Sequence, residues 1–178
     1  MAGSNMIQYV ISEPGFHAKE AVNMIRAAVQ MAGKNNRVFG VTSALANEGK
    51  SSLAFRLALS LSGLEGKRTI LVDCDIRNTK VKQRLKIAQK IVGLSEYLCG
   101  MNKYEEIICG TQNPQLDILF AGRFAPNPSE LLSGDLFAGL LARLKQEYDY
   151  VVVDMPPVNL VADALLVAPL CDSNVFVV

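Results

Sequence analysis

The stretch Ala44-Leu45-Ala46-Asn47-Glu48-Gly49-Lys50-Ser51 decides the fold. It matches the phosphate-loop pattern GxxxxGK[ST] except at its first position, where Ala44 replaces glycine. The loop follows an apolar strand predicted at residues 37–42 and opens a helix predicted at residues 50–64. A loop placed in this way aims several backbone N–H groups at a chain of phosphates. The stretch therefore predicts a site for a nucleoside triphosphate.

The side chains of this loop have expected roles of their own. Lys50 should neutralise the β- and γ-phosphates, and the Ser51 hydroxyl should ligate Mg²⁺. Lys50 should also be accessible to solvent, so that its replacement would not open a cavity in the core. The residues expected to contact the nucleotide are Ala46, Asn47, Glu48, Gly49, Lys50, Ser51 and Ser52.

Carboxylates end two further apolar stretches. Asp73 closes the predicted strand 69–73 and Asp75 follows it, while Asp154 closes the predicted strand 150–154. Ligands of open parallel sheets bind at the carboxyl ends of the strands. Carboxylates there can hold the water shell of Mg²⁺ and accept a proton from an attacking hydroxyl. A strand-end aspartate can also simply cap the next turn, and this alternative stays open for Asp73 and Asp75.

Short apolar strands alternate with helices along the chain. This order predicts an α/β fold of three layers, with a mostly parallel central sheet covered by helices on both faces. The chain divides into an N-terminal leader at 1–16 and a phosphate-loop domain at 17–178, whose fold we expect to continue in a longer parent protein. The other predicted strands are 116–121 and 174–178, and the other predicted helices are 17–32, 95–98, 103–109, 130–147 and 163–168.

The composition gives no support for nucleic-acid binding, a zinc site, a disulfide framework or a membrane span. A net charge of +1 over 178 residues gives no electrostatic sign of nucleic-acid binding. The four cysteines form no CxxC pair, so the sequence indicates neither a zinc site nor a disulfide framework and favours a reducing cytoplasm. No apolar stretch approaches the roughly 20 residues that cross a bilayer, so a membrane link is expected to run through a partner.

The order of these motifs resembles the bacterial tyrosine kinases (BY-kinases) of capsule and exopolysaccharide synthesis. The stretches that carry the resemblance are VTSA…EGKSS at 41–52, ILVDCDIR at 70–77, GLSEYLCG at 93–100, the segment 116–132 with its PNPSELL, and YDYVVVDMPPV at 148–158. Together they cover the chain from about residue 20 to its end. BY-kinases belong to the superfamily of Walker-type phosphate-loop ATPases.

The resemblance implies a domain that moves the γ-phosphoryl group of ATP to tyrosine hydroxyls of proteins. Asp73 would be the base, and Asp75 and Asp154 would hold the metal together with Ser51. Lys50 completes the expected catalytic set. The partner implied is a membrane-spanning activator, a polysaccharide co-polymerase whose cytoplasmic tail completes the site as a fused or separate chain. The resemblance therefore places the domain in the cytoplasm, peripheral to the membrane.

Three features depart from the family pattern. Ala46-Asn47 stands where the family has Pro-Gly. Asn23 replaces the first arginine of the ExxRxxR motif that the family uses to form rings, so assembly into a homo-oligomer is an open expectation. The family's tyrosine-rich tail is also absent from these residues, which leaves the usual acceptors of self-phosphorylation unaccounted for.

Two other functions remain as alternatives. The first is a MinD/ParA-type ATPase, although that class carries an extra lysine where this chain has Leu45. The second is a regulatory nucleotide-binding module without kinase activity. A basic run with no acidic residue between its members is either a solvated face or a docking surface for an acidic tail or phosphates. Its members are Arg77, Lys80, Lys82, Arg84, Lys86 and Lys90.

Overall fold

The computed structural model describes residues 6–9, 13, 15–78, 80–87, 90–123, 125 and 127–178, with residues 80 and 84 described by backbone alone. The strands are β1 (Val38–Ser43), β2 (Thr69–Asp73), β3 (Cys109–Gly110), β4 (Leu116–Leu119), β5 (Tyr150–Asp154) and β6 (Ser173–Val177). The helices are α1 (Phe16–Met31), α2 (Lys50–Ser62), α3 (Lys80–Arg84), α4 (Leu94–Leu98), α5 (Tyr104–Ile107), α6 (Pro128–Ser133), α7 (Asp135–Glu147) and α8 (Asp163–Val167), followed by a 3₁₀ helix at Ala168–Leu170.

The central sheet has the strand order β3-β4-β2-β5-β1-β6. Every pair of neighbours is parallel except β3 and β4, which run antiparallel. Because β2, β5 and β1 are adjacent and parallel, their carboxyl ends meet at one edge, and Asp73 lies in register with Asp154. The predicted α/β architecture with a mostly parallel sheet is thereby confirmed.

Alternate residues of each central strand supply the cores on the two faces of the sheet. In β2, Ile70 and Val72 pack with one face of α7, including Phe137 and Leu140. Leu71 belongs to the opposite core, which contains the buried residues of α2 and Val29 of α1. A strand buried on both faces reads as a continuous apolar run. This is why β2 and β5 could be placed from sequence without an alternating pattern.

The structure corrects two predicted helices. The single helix predicted at 130–147 is two helices, because Gly134 adopts an extended conformation (φ −79°, ψ 156°) and interrupts the helical backbone. Glycine is costly inside a helix, and Asp135 suits the positive end of the helix that follows it. The helix predicted at 103–109 ends at Ile107, and β3 follows it. That strand has only two residues, which is too short for a recognisable alternation of apolar and polar residues.

Part of the predicted leader packs against the domain. Ile7 is buried and forms a parallel bridge with Thr111, beside β3. The ring of Tyr9 meets that of Phe55 on α2 edge-on, with 5.1 Å between centroids. Most other leader residues lie outside the described part of the chain, so the division at residue 16 stays a prediction. Among the residues described, every helix is too short or too polar to cross a bilayer.

Candidate active site

The phosphate loop connects the end of β1 to the first residue of α2, as predicted. Two of its residues adopt left-handed backbone conformations, Asn47 with φ 67° and Gly49 with φ 93°. Glycine adopts this conformation freely, and asparagine is among the few other residues that tolerate it. The conformation explains how Asn47 can stand where the resembling family has glycine.

Two side chains hold the loop closed. The Leu45 amide donates to Glu48 Oε2 at 2.7 Å, and the Ser43 hydroxyl donates to the Leu45 carbonyl at 2.7 Å. The Val158 amide also donates to the Ser43 carbonyl at 2.9 Å, which ties the segment after β5 to the entrance of the loop. The entrance of the phosphate loop is therefore hydrogen-bonded both within the loop and to the segment after β5.

Asp73, Asp75 and Asp154 come together at the carboxyl edge of the sheet, and Lys50 lies among them. The three carboxylates are buried, with 1%, 5% and 0% of each residue exposed. The Lys50 ammonium lies 3.4 Å from Asp75 Oδ2, 3.9 Å from Asp154 Oδ1 and 3.3 Å from the Ser51 hydroxyl. All four groups predicted to be catalytic thus share one cluster with Ser51.

The expectation that Lys50 is accessible to solvent is wrong, because only 4% of the residue is exposed. Lys50 is the first residue of α2, and side chains of a helix tilt toward its N-terminus. Its side chain therefore reaches back over the strand ends, where the buried carboxylates attract it. The position of Lys50 at the start of α2 follows from the loop motif, whereas its burial depends on the carboxylates of the neighbouring strands.

The pKa of Asp73 is raised well above its ordinary value of 3.8, first by burial and then by the charges of Asp154 and Asp75. Its Oδ1 atom accepts a hydrogen bond from the Asp75 amide at 3.1 Å, so Asp73 does cap the turn after β2. Its Oδ2 atom is buried and has no hydrogen-bond partner within the described residues. One oxygen therefore has a structural role, while the other has a strong affinity for a proton.

The donor atoms of the cluster fit a hard cation such as Mg²⁺. Among the described residues, no group of three or more His, Cys, Asp or Glu side chains could enclose a metal by itself. Proteins usually bind Mg²⁺ through one or two carboxylates, with waters and substrate phosphates completing the octahedron. Ser51, Asp75 and Asp154 offer only oxygen atoms beside the phosphate loop, and one nearby lysine opposes three carboxylates. Such a site suits a cation that arrives with a phosphate chain.

Sequence reasoning gave no role to a second network beside this cluster. Buried Asp163 accepts hydrogen bonds from Arg77 Nε at 2.7 Å and from the Ser129 hydroxyl at 2.5 Å. These bonds fix the segment after Asp75 to α6 and α8. The sequence does show that Asp163 lies in the first turn of a predicted helix. It does not show its partners, because Ser129 and Arg77 are 34 and 86 residues away in the chain.

A cleft of about 460 Å³ opens beside Asp73, on the side of the sheet edge where β4 ends. Lys82 and Lys90 of the basic run contribute to its wall, together with the segment from Phe120 to Arg123 after β4. The side chains of Lys80 and Arg84 lie outside the described part of the chain. Neither the cleft nor the contribution of the β4 segment was predicted.

Comparison with known proteins identifies relatives of this chain. A family model described as an AAA domain matches residues 36–178. The tyrosine-protein kinase CpsD of Streptococcus agalactiae is 38% identical over 159 residues, which cover 89% of this chain and 69% of CpsD. The succinoglycan biosynthesis transport protein ExoP of Rhizobium meliloti is 38% identical over 151 residues, which cover 83% of this chain and 19% of ExoP.

Solved structures extend the comparison. The kinase domain of the Escherichia coli tyrosine kinase ETK superimposes with a TM-score of 0.82 at 30% identity, and the match covers 89% of this chain and 62% of that one. The septum site-determining protein MinD of Pyrococcus horikoshii gives a TM-score of 0.66 at 22% identity, covering 80% of this chain and 57% of MinD. The likeness to MinD shows a shared fold and nothing more.

The crowding of carboxylates predicts that Asp73→Asn stabilises the folded chain. Folding raises the pKa of Asp73. As the pH rises above about 3.8, the Asp73 carboxyl therefore loses its proton in the unfolded chain before it does so in the folded chain. The ionisation of Asp73 thus favours the unfolded chain, and the stability of the folded chain falls progressively above that pH. An asparagine keeps the Oδ1 acceptor and removes the buried charge. We expect the free energy of unfolding in urea at pH 7, without nucleotide or metal, to rise by about 1 kcal/mol or more, since a pKa difference of one unit corresponds to about 1.4 kcal/mol.

The control for this prediction is Asp172→Asn. Burial raises the pKa of Asp172, but Lys145 and the amides of Val38 and Arg37 more than offset this, and the net pKa is lowered. This variant should therefore lose stability at pH 7. A loss of stability in both variants would contradict the account of Asp73.

Proposed function

The chain belongs to the bacterial tyrosine-protein kinases of capsule and exopolysaccharide synthesis, and on that basis we propose that its site transfers the γ-phosphoryl group of ATP to tyrosine hydroxyls of proteins. One observation carries the proposal: the Lys50 ammonium and the carboxylates of Asp73, Asp75 and Asp154 meet beside the phosphate loop. Phosphoryl transfer needs positioning and charge stabilisation more than covalent chemistry. A preorganised cluster of charges suits that need.

Lys50 and the loop would bind the triphosphate. The N-terminus of α2 favours negative charge, and the amides near it are natural donors to phosphate oxygens. On binding, Lys50 would exchange its contacts with Asp75 and Asp154 for contacts with phosphate oxygens. The ammonium would then have a partner of opposite charge both before and after binding. This avoids the free-energy cost of a buried charge without a partner. It also frees the two carboxylates for a cation.

Ser51, Asp75 and Asp154 would hold Mg²⁺. When bound, the ion neutralises charge on the β- and γ-phosphates. The hydroxyl of Ser51 and the two carboxylates supply the oxygen ligands or hydrogen bonds to coordinated water. Their burial keeps bulk water away, which strengthens every electrostatic contact in the site.

Asp73 would act as the base. It lines the cleft, so a tyrosine hydroxyl entering there comes within reach of its carboxylate. The hydroxyl oxygen forms a bond to the γ-phosphorus, the bond to the β,γ-bridging oxygen breaks, and the hydroxyl proton passes to Asp73. The raised pKa of Asp73 favours that transfer, since a base accepts a proton more readily as its pKa approaches the working pH.

We predict that Asp73→Asn and Asp154→Asn each lower turnover by at least about 100-fold, the scale expected for lost acid–base or charge-stabilising groups. Turnover is measured as phosphate transfer to a tyrosine peptide together with ADP release. The matched control is Asp149→Asn, because Asp149 immediately precedes β5 at the opposite edge of the sheet and pairs with Lys67 at 2.9 Å. It should retain turnover within about 2-fold of wild type.

Nucleotide affinity without metal separates the roles further. It should change little in Asp73→Asn, because the proposed base does not contact the phosphates in the ground state. Near-normal turnover in either catalytic variant would remove that residue from the mechanism. Release of free phosphate without transfer to peptide would favour a partner-switching ATPase, and tight ATP binding without turnover would favour a regulatory module.

We also propose that the partner is the cytoplasmic tail of a membrane-spanning polysaccharide co-polymerase, which would bring the domain to the membrane surface. Relatives of this chain include a polysaccharide transport protein, ExoP, that contains a matching segment. Beside the cleft, the described residues 85–87 and 90–93 between α3 and α4 form neither helix nor strand. A tail that binds beside them would order the site and raise the population of its competent form.

The isolated chain is therefore expected to be a poor kinase. A synthetic tail of the activator encoded in the same gene cluster should raise its kcat/KM for a tyrosine peptide by at least about 10-fold, and a scrambled tail of equal charge should not. Steady-state kinetics with each tail measures the effect. Full activity without any tail would show that no activator is needed.

A further inference from the structure

We infer that the cleft beside Asp73 is the acceptor subsite, and that it selects tyrosines flanked by acidic residues. The inference rests on the proposed kinase function and specifies its substrate class. Three properties of the cleft carry it: its position, its apolar floor and its charge.

The position and the floor suit an aromatic ring. The cleft borders the proposed base, and its volume of about 460 Å³ lies within the usual range for ligand pockets. Phe120 and Ala121, at the end of β4, are buried and form part of the lining, as do the partly buried Ile91 and Val92. A tyrosine side chain has the matching character, with an apolar ring and a polar tip.

The charge suits acidic neighbours of that tyrosine. Lys82, Lys90 and Arg123 line the cleft, and Asp73 is its only acidic lining residue within the described part of the chain. Lys90 is exposed and Lys82 is partly exposed. Within the described residues, neither lysine has a hydrogen bond or ion pair to an acidic group. Carboxylates on either side of a bound tyrosine would provide the missing counter-charges.

Arg123 is held in place by a buried glutamate. Glu96 accepts hydrogen bonds from the Arg123 amide at 3.1 Å and the Gly93 amide at 2.9 Å, and it lies 3.6 Å from Arg123 Nε. Gly122 has φ 85°, and a Cβ atom there would collide with Glu96 and with the Ser95 hydroxyl. Because Gly93 and Gly122 have no side chains, the segment after β4 can pack closely against Glu96. The Arg123 side chain remains 78% exposed, so it can still meet an incoming carboxylate.

A binding experiment tests the inference separately from catalysis. Three fluorescent peptides carry phenylalanine in place of the acceptor tyrosine and differ only in their flanks, which are acidic, neutral or basic. They are titrated by anisotropy into the chain saturated with Mg²⁺ and a non-hydrolysable ATP analogue. The acidic peptide should bind about 10-fold more tightly than the neutral one, and the difference should shrink at about 0.5 M salt because exposed charges are screened.

Two variants sharpen the result. The double variant Lys82→Glu/Lys90→Glu should reverse the order of affinities in favour of the basic peptide, which simple unfolding could not produce. Lys19→Glu/Lys34→Glu is the matched control, because it makes the same change of charge at two exposed lysines that do not line the cleft. It should keep the wild-type order.

The outcomes distinguish the two proposals. If the acidic peptide binds preferentially but its tyrosine version is never phosphorylated, even when the activator tail is present, the kinase function fails and the cleft remains a selective binding site. If all three tyrosine peptides are phosphorylated with equal kcat/KM and bind equally, the kinase function stands and the acceptor inference is overturned. A preference for basic flanks in the wild type would overturn it as well.

Discussion

The contact between the Lys50 ammonium and the buried carboxylates of Asp75 and Asp154 is the interaction on which the rest of the site depends. Three carboxylates at one sheet edge repel one another, and burial makes each charge more costly. A single lysine cannot neutralise them all. The site therefore holds more carboxyl groups than cationic groups, an arrangement that a protein built for stability alone would not retain.

The fold makes this arrangement unavoidable. The adjacent, parallel strands β2 and β5 place Asp73 beside Asp154, and β1 delivers the phosphate loop next to them. Since α2 begins at Lys50, its first side chain reaches over the same edge. The left-handed conformations of Asn47 and Gly49 let the loop turn tightly into that helix. The residues proposed for nucleotide binding, metal coordination and proton transfer thus all lie at one edge of one sheet.

Much of this could be read from sequence because the signals are local. The strands ending at Asp73 and Asp154 are continuous apolar runs, and the loop has a fixed spacing of glycine, lysine and serine. Contacts between residues far apart in the chain could not be predicted. The burial of Lys50 depends on two strands that lie far along the chain, and the bonds from Glu96 to Arg123 join segments 27 residues apart.

The weaker predictions failed for physical reasons that can be named. Gly134 divides a helical pattern that is otherwise continuous, because glycine is costly inside a helix and the spacing of apolar residues does not reflect that cost. The basic run could not be interpreted alone, because its members differ in environment. Arg77 is bound to Asp163, whereas Lys82 and Lys90 face the cleft. The role of a charged residue can be interpreted only when the residues around it in space are known.

The most direct test of the account is the affinity of Mg²⁺-ATP for Lys50→Met, measured by titration calorimetry beside wild type and the exposed-lysine control Lys19→Met. If Lys50 links the carboxylates to the phosphates, its loss removes a charge-assisted contact and leaves the carboxylates to repel the nucleotide. The account predicts an affinity weaker by on the order of 100-fold, with the control unchanged. Wild-type affinity in a folded Lys50→Met protein would contradict it.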